Sequence, residues 1–245
     1  MKKILGIFLV LAALAFAGNA HAFGFDYADA TGYNNWGVYA EDATWNRLGT
    51  SWTGEPGAYA VAGNTDLDDG VSWSINGGAY GNDDITVGDS VTFQFILSKV
   101  EYGRHDEDFL KAWIDWNNDK DFWDPGEMVL AEAYSFISHD EADHSDSQYL
   151  DQTNYRPVEV ARYYYNTTFD NIMAGDYWLR ARVVCNADAD TLDYVSPIGH
   201  YYQGEIEDWK LTVRQSVPEP ATMFLLGSGL IGLAGFRRKF KKRVG

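Results

Sequence analysis

Cysteine is almost absent: Cys185 is the only one in 245 residues, which excludes an intramolecular disulfide. Basic residues are scarce where they would matter most. Between residues 23 and 216 lie eleven of the 19 Lys+Arg and thirty-five of the 36 Asp+Glu, a local balance of −24 within a total of −17. Such a surface repels nucleic acid and anionic polymers and attracts cations. No long segment of this region has helical periodicity, and no internal repeat marks a solenoid. Signatures of catalysis are missing as well. There is no G-x-S-x-G, and His139 and His144 stand five apart with Glu141 between them, which is not H-E-x-x-H. Carboxylate pairs can be drawn almost anywhere in so acidic a chain, so they do not argue for glycoside hydrolysis. The expectation is a protein that is not an enzyme, with a secreted hydrolase as the weakest alternative.

What is present begins with aromatics, 16% of the chain and including 9 Trp. That content excludes disorder as the meaning of the acidity, because the rings can build a core or a binding surface. Period-2 runs are frequent. Val91, Phe93, Phe95 and Leu97 alternate with Thr92, Gln94 and Ile96; Tyr177, Leu179, Ala181 and Val183 alternate with Trp178, Arg180 and Arg182. Further strands are expected at 112–116, 128–136, 158–165 and 206–213. Gly/Asp/Asn turns separate them, and the predicted fold is all-β, an antiparallel β-sandwich. Residues 23–88 read as short strands and long loops, 89–216 as the sandwich core, and 138–156 as a long polar loop. Cys185 ends an alternating run and is expected to be buried.

The two ends carry addresses. Lys2 and Lys3, the apolar run 4–17 and Ala20-His21-Ala22 form a signal peptide over 1–22, with cleavage expected before Phe23. At the other end, Pro218-Glu219-Pro220 precedes sixteen apolar residues, 221–236, and the basic tail 237–243, which opens with Arg237 and Arg238. As a helix the apolar run spans about 24 Å, slightly short of a hydrocarbon core of about 30 Å. The Lys/Arg cluster prefers the cytoplasmic side, so a single C-terminal transmembrane helix would leave residues 23–216 outside.

The strongest candidate for chemistry is Asp115-Trp116-Asn117-Asn118-Asp119-Lys120-Asp121, followed by Asp124 and Glu127. Oxygen ligands at alternate positions let one tight loop wrap a hard cation, and Ca²⁺ takes six to eight oxygens. The loop is similar to the D-x-[DN]-x-D-G pattern of EF-hands, with Lys120 where Gly is usual and the last acid one residue late. With no flanking helices, a β-hairpin loop is expected. The same residues also fit a solvated acidic turn. A second acidic knot is Glu205, Glu207 and Asp208: in a strand the two glutamates share a face and Asp208 points away. It is a candidate to contribute to the metal site. Trp36, Trp52 and Trp123 are candidates for stacking on sugar rings, the basis of an alternative reading as a carbohydrate-binding module.

Two resemblances follow from these residues. The Pro-Glu-Pro, apolar helix and basic tail over 217–245 resemble the PEP-CTERM sorting signal. That resemblance implies a Gram-negative bacterium making extracellular polysaccharide, and an exosortase-type membrane protease that recognises Pro218-Glu219-Pro220. It implies a membrane-anchored precursor and a mature form on the cell surface or outside the cell. Separately, Phe25-Asp26-Tyr27-Ala28-Asp29, Asp68-Asp69-Gly70-Val71, the stretch 112–119 with Gly126-Glu127, and Gly204-Glu205-Ile206-Glu207-Asp208-Trp209 are similar to the GEVED-domain pattern. This implies a β-sandwich module of exported proteins and carries no catalytic activity with it. Together the expectations describe a calcium-stabilised structural or adhesion protein of the cell surface or extracellular matrix, with polysaccharide as a candidate partner.

Overall fold

A computed structural model describes residues 25–42, 46–51, 68–99, 107–135, 158–216 and 228–231. The signal peptide, Trp52, the polar loop 138–156, Pro218-Glu219-Pro220, Arg237 and Arg238 lie outside the described residues. So does the expected helix 221–236, apart from one helical turn at 228–231. Among the described residues no helix is long and apolar enough to cross a membrane.

Twelve strands are described. They are β1 (Asp26–Tyr27), β2 (Tyr39–Asp42), β3 (Asn46–Leu48), β4 (Val71–Ile75), β5 (Tyr80–Gly81), β6 (Ile85–Thr86), β7 (Ser90–Lys99), β8 (Glu107–Ile114), β9 (Met128–Ser135), β10 (Val158–Thr168), β11 (Gly175–Cys185) and β12 (His200–Arg214). One sheet runs β1-β2-β12-β11-β8-β9, with β6 also on β12; the other runs β10-β7-β4-β5, with β3 also on β7. The architecture is the predicted all-β sandwich, but the sheets are not purely antiparallel. β2 and β6 both pair with β12 in parallel. The correction has a topological cause. The chain passes between the sheets before β12 forms, so these two short strands meet the last strand running in their own direction.

Alternation dictates the core. Val91, Phe93, Phe95 and Leu97 of β7 are all fully buried and face Leu179, Ala181 and Val183 of β11 and Leu211 and Val213 of β12 across the sandwich. A fully buried side chain of this size contributes about 1.5–3 kcal/mol. Cys185 is buried at the end of β11, as expected, and burial pushes its thiol up to about 12, which keeps it unreactive.

The outer face of the larger sheet is also covered. Tyr33, Phe122, Trp113, Val184 and Val195 form a second apolar cluster there. Arg180 and Arg182 of β11 are buried on this face, where a polar side chain needs partners. Arg182 donates to the carbonyls of Ser196, Ile198 and Tyr39 and lies 4.5 Å from the Tyr201 ring. Burial pulls its guanidinium down to about 10.

Candidate metal centre

β8 ends where the Ile114 amide donates to the carbonyl of Glu127 and the Asp115 amide to that of Trp178. The chain then turns through 115–127 and returns as β9, with Trp113 opposite Met128. The loop therefore closes a β-hairpin. Asn118 (φ 60°) and Lys120 (φ 79°) both sit in the left-handed region. Lys120 thus adopts the conformation for which glycine is usual, at a cost of about 1–2 kcal/mol. Its ammonium donates to Asn118 Oδ1 and lies 5.3 Å from the Tyr33 ring centre.

Asp115, Asp119 and Glu127 come together: one carboxylate oxygen from each lies within 4.8 Å of the others. Asp115 and Glu127 are buried and Asp119 is exposed. Asp115 accepts from the Asp119 and Lys120 amides (3.2 and 3.1 Å) and from the Tyr33 hydroxyl. Glu127 Oε2 accepts from the Asp124 amide at 3.0 Å, while its Oε1 is buried with no hydrogen-bond partner. Burial, and then the charges of Asp115, Asp119 and Asp124, push the Glu127 carboxyl up to about 7. The remaining loop oxygens brace the turn. Asn117 donates to Asp119 and Asp124, and Asp121 accepts from the Trp123 amide. The cluster is an all-oxygen donor set that can hold a metal ion.

The second acidic knot is elsewhere, on β12, and its carboxylates are already engaged. Glu205 and Glu207 face inward and Asp208 outward. Glu205 Oε2 accepts from the Leu48 amide at 2.5 Å. Glu207 accepts from the Asp69 and Gly70 amides (3.1 and 2.8 Å) and from Trp209 Nε1 (2.9 Å). Asp208 accepts from the Asp29 and Ala30 amides, both at 2.7 Å, and from a bidentate Arg180 at 2.7 Å. Asp26 closes the set by accepting from the Ile206 amide at 2.7 Å. Residues 204–209 thus fasten three separate N-terminal segments. Trp209 adds an edge-to-face contact with Trp73, 6.2 Å between centres. Asp69 caps the 49–51 turn, accepting from the Thr50 and Ser51 amides.

Three participants had no motif to reveal them: Tyr33, Asn35 and Arg180. Tyr33 joins the two regions. It follows the 29–30 segment that Asp208 holds, stacks on Phe122 at 4.9 Å and reaches Asp115. Its burial and that carboxylate both raise its hydroxyl pKa. Arg180 also donates to Asn35 Oδ1 and the Pro197 carbonyl and lies 4.9 Å from the Phe122 ring. The one available signal was two arginines on a single strand in a region with so few basic residues.

Of the sugar-stacking candidates, Trp36 is 90% and Trp123 58% exposed, so both can meet a ligand.

Glu205 gives a pH prediction. Its Oε1 is buried without a hydrogen-bond partner, and burial, then the charges of Asp26 and Glu207, hold its carboxyl well above the usual range. A raised folded-state pKa contributes stability that is fully present below the ordinary value of 4.5 and is lost as pH rises through the folded-state value. Glu205→Gln keeps the acceptor for Leu48 and removes the charge. The variant should match wild type at about pH 4 and unfold at a higher temperature near pH 8. Melting curves across this range check it; a variant less stable than wild type at pH 8 contradicts it.

These features define the class: a mixed-sheet β-sandwich whose last strand clamps the N-terminal segments and whose central hairpin carries an acidic loop. Residues 109–212 match the GEVED domain, and residues 216–239 match the PEP-CTERM protein-sorting motif. The chain carries both, and the sorting motif marks it as an exported surface protein processed by an exosortase-type protease. The GEVED match begins within β8, yet Asp26 and the Asp69–Gly70 turn, which lie before it, bond directly to its final strand. No curated protein matches the chain. Among solved structures, the CARDB domain of a Pyrococcus furiosus protein, in complex with di-metal ions, is similar at 12% identity. The likeness covers 60% of this chain and 94% of that one, with a TM-score of 0.32.

Proposed function

We propose that the chain is a non-enzymatic structural or adhesion module of the cell surface or extracellular matrix, braced by Ca²⁺ in the 115–127 loop. One observation carries this reading: Glu127 is buried with an unpartnered oxygen beside two more carboxylates, so the cluster lacks positive charge rather than ligands. Oxygen-only ligands favour a hard cation, and an irregular loop suits the flexible coordination of Ca²⁺. Asp115, Asp119 and Glu127 are the core ligands, with Asn117, Asp121 and Asp124 close by in the same loop. Glu205, Glu207 and Asp208 are committed elsewhere and are left out of the set. The precursor is held in the membrane by 221–236 until the exosortase-type cut, which leaves the acidic domain where external calcium is available.

The test is thermal unfolding with Ca²⁺ or chelator. A cation at about a hundredfold excess over its dissociation constant adds about 2.7 kcal/mol, a rise of about 5–10 °C for a domain of this size. Asp119→Ala, at an exposed position, should abolish the rise and leave the chelated melting point near that of wild type. A melting curve indifferent to both calcium and chelator contradicts the proposal. A second reading, a carbohydrate-binding module, is favoured by the exposure of Trp36 and Trp123; Trp fluorescence during polysaccharide titration separates it from a purely structural role.

A further inference from the structure

A row of aromatic rings lies along one face of the β1-β2-β12 edge. Strand register creates it. Tyr27 pairs with Tyr39, and Tyr39 pairs with His200. Phe25 and Tyr202 lie two residues from Tyr27 and His200, so they share that face. Ring centres are 5.8 Å apart for Phe25 and Tyr27, 5.2 Å for Phe25 and Tyr39, 5.2 Å for Tyr27 and Tyr39, 5.2 Å for Tyr39 and His200, and 6.3 Å for His200 and Tyr202. The alternating residues Asp26, Ala28 and Ala40 point to the opposite face and are buried. Phe25 is 42% and Tyr202 63% exposed, His200 is exposed, and Tyr27 and Tyr39 are half-buried.

We propose that this strip binds a neutral glycan chain of hexose units. Three arguments select that occupant. Four of the five rings carry a polar atom, so the surface offers flat apolar faces edged by hydroxyl and imidazole groups, as a polyhydroxylated ring requires. Glu41, two residues beyond Tyr39 on β2, shares the face and adds a carboxylate acceptor. The charge of −24 over residues 23–216 repels an anionic polymer and a second copy of this chain, while an uncharged one meets no such barrier. Cross-strand aromatic pairs also stabilise a sheet edge, by about 0.2–1 kcal/mol each, but that role does not call for exposed faces. Neither Trp36 nor Trp123 is among the strip's five rings, and the strip does not depend on the calcium loop.

The test is calorimetric titration of the full-length protein, in a detergent without sugar groups, with cellohexaose, mannohexaose and a β-1,3-glucan hexamer. An oligogalacturonate serves as the anionic comparison. Saturable binding of a neutral oligomer is expected, with none for the anionic one. Tyr202→Ala and Tyr39→Ala should each weaken it about tenfold or more, and Trp36→Ala should leave it unchanged. Tyr202 is mostly exposed, so its variant decides the matter if Tyr39→Ala does not fold. No binding of any neutral oligomer, or binding that survives Tyr202→Ala, overturns the proposal. A dimer that Tyr202→Ala dissolves also overturns it, by giving the face to a second copy.

Discussion

Asp208→Ala is expected to destabilise the protein by about 3–5 kcal/mol, a fall in melting temperature of about 10 °C or more. The side chain of Asp208 is fully buried, and that of Arg180 is 1% exposed. Removing the carboxylate leaves a buried guanidinium without its counter-charge and two amides, of Asp29 and Ala30, without their acceptor. The substitution also has a local signature. The 29–35 segment is tied to β12 through Asp208 and to the acidic loop through Tyr33, so its amides should exchange faster in the variant than those of β7. Asp208→Asn is the informative companion, because it retains an acceptor for the amides and loses the charge. It should fall between the wild type and Ala. An alanine variant that melts within a degree or two of wild type would show that the clamp contributes little.

Gly204→Ala should cost about 3 kcal/mol or more, through a different mechanism. Gly204 has φ 134°, and a Cβ there would sit 1.9 Å from the Val183 carbonyl oxygen and 2.9 Å from its carbon. Those are backbone atoms of the adjacent strand, so no side chain can move aside. Gly204 is also where pairing with β11 ends and pairing with β2 takes over along β12. The variant should therefore loosen the β1-β2 edge and disturb the register of Glu205 and Glu207 with the loops they hold. Chemical denaturation measures the loss; a variant of wild-type stability would mean the strand can shift at no cost.

These two residues lie in the stretch 204–209, and they show where the sequence was legible. Its alternation placed Glu205 and Glu207 on one face and Asp208 on the other, as the structure has them. It could not say what satisfies them. Besides Arg180 and Trp209 Nε1, the donors are backbone amides of Leu48, Asp69, Gly70, Asp29 and Ala30, the nearest in sequence, Gly70 with Glu207, 137 residues away. A backbone amide leaves no mark in the choice of side chain, so three carboxylates this close read as candidates for a cation site or for full exposure. The same limit hid the parallel pairing of β2 and β6. Period 2 reports which side of a strand is buried and says nothing about its neighbour's direction.

The strands themselves were plain where apolar and polar side chains alternate, even with both faces covered. Val91 to Leu97 and Tyr177 to Val183 alternate cleanly, and each lies within its structural strand. β8 was read short. Its expected start was Ala112, yet it begins at Glu107, because Phe109, Leu110, Lys111 and Ala112 are all buried and the alternation disappears. The acidic loop was legible for a local reason, since all its candidate ligands lie within thirteen residues. Lys120 at φ 79° is the anomaly the spacing pointed to, a bulky residue in a glycine conformation. The aromatic strip escaped notice because Phe25, Tyr27, Tyr39, His200 and Tyr202 converge only through the parallel pairing of β2 with β12.

Calcium occupancy of the 115–127 loop is the central claim, and isothermal titration of the full-length protein with Ca²⁺ tests it most directly. Wild type should bind one ion per chain, releasing a proton near neutral pH as Glu127 gives up its hydrogen. Glu127→Gln preserves shape and removes one ligand charge; it should bind no ion in the same range while keeping the fold. Heats of dilution alone from wild type, or equal binding by wild type and Glu127→Gln, would contradict the account.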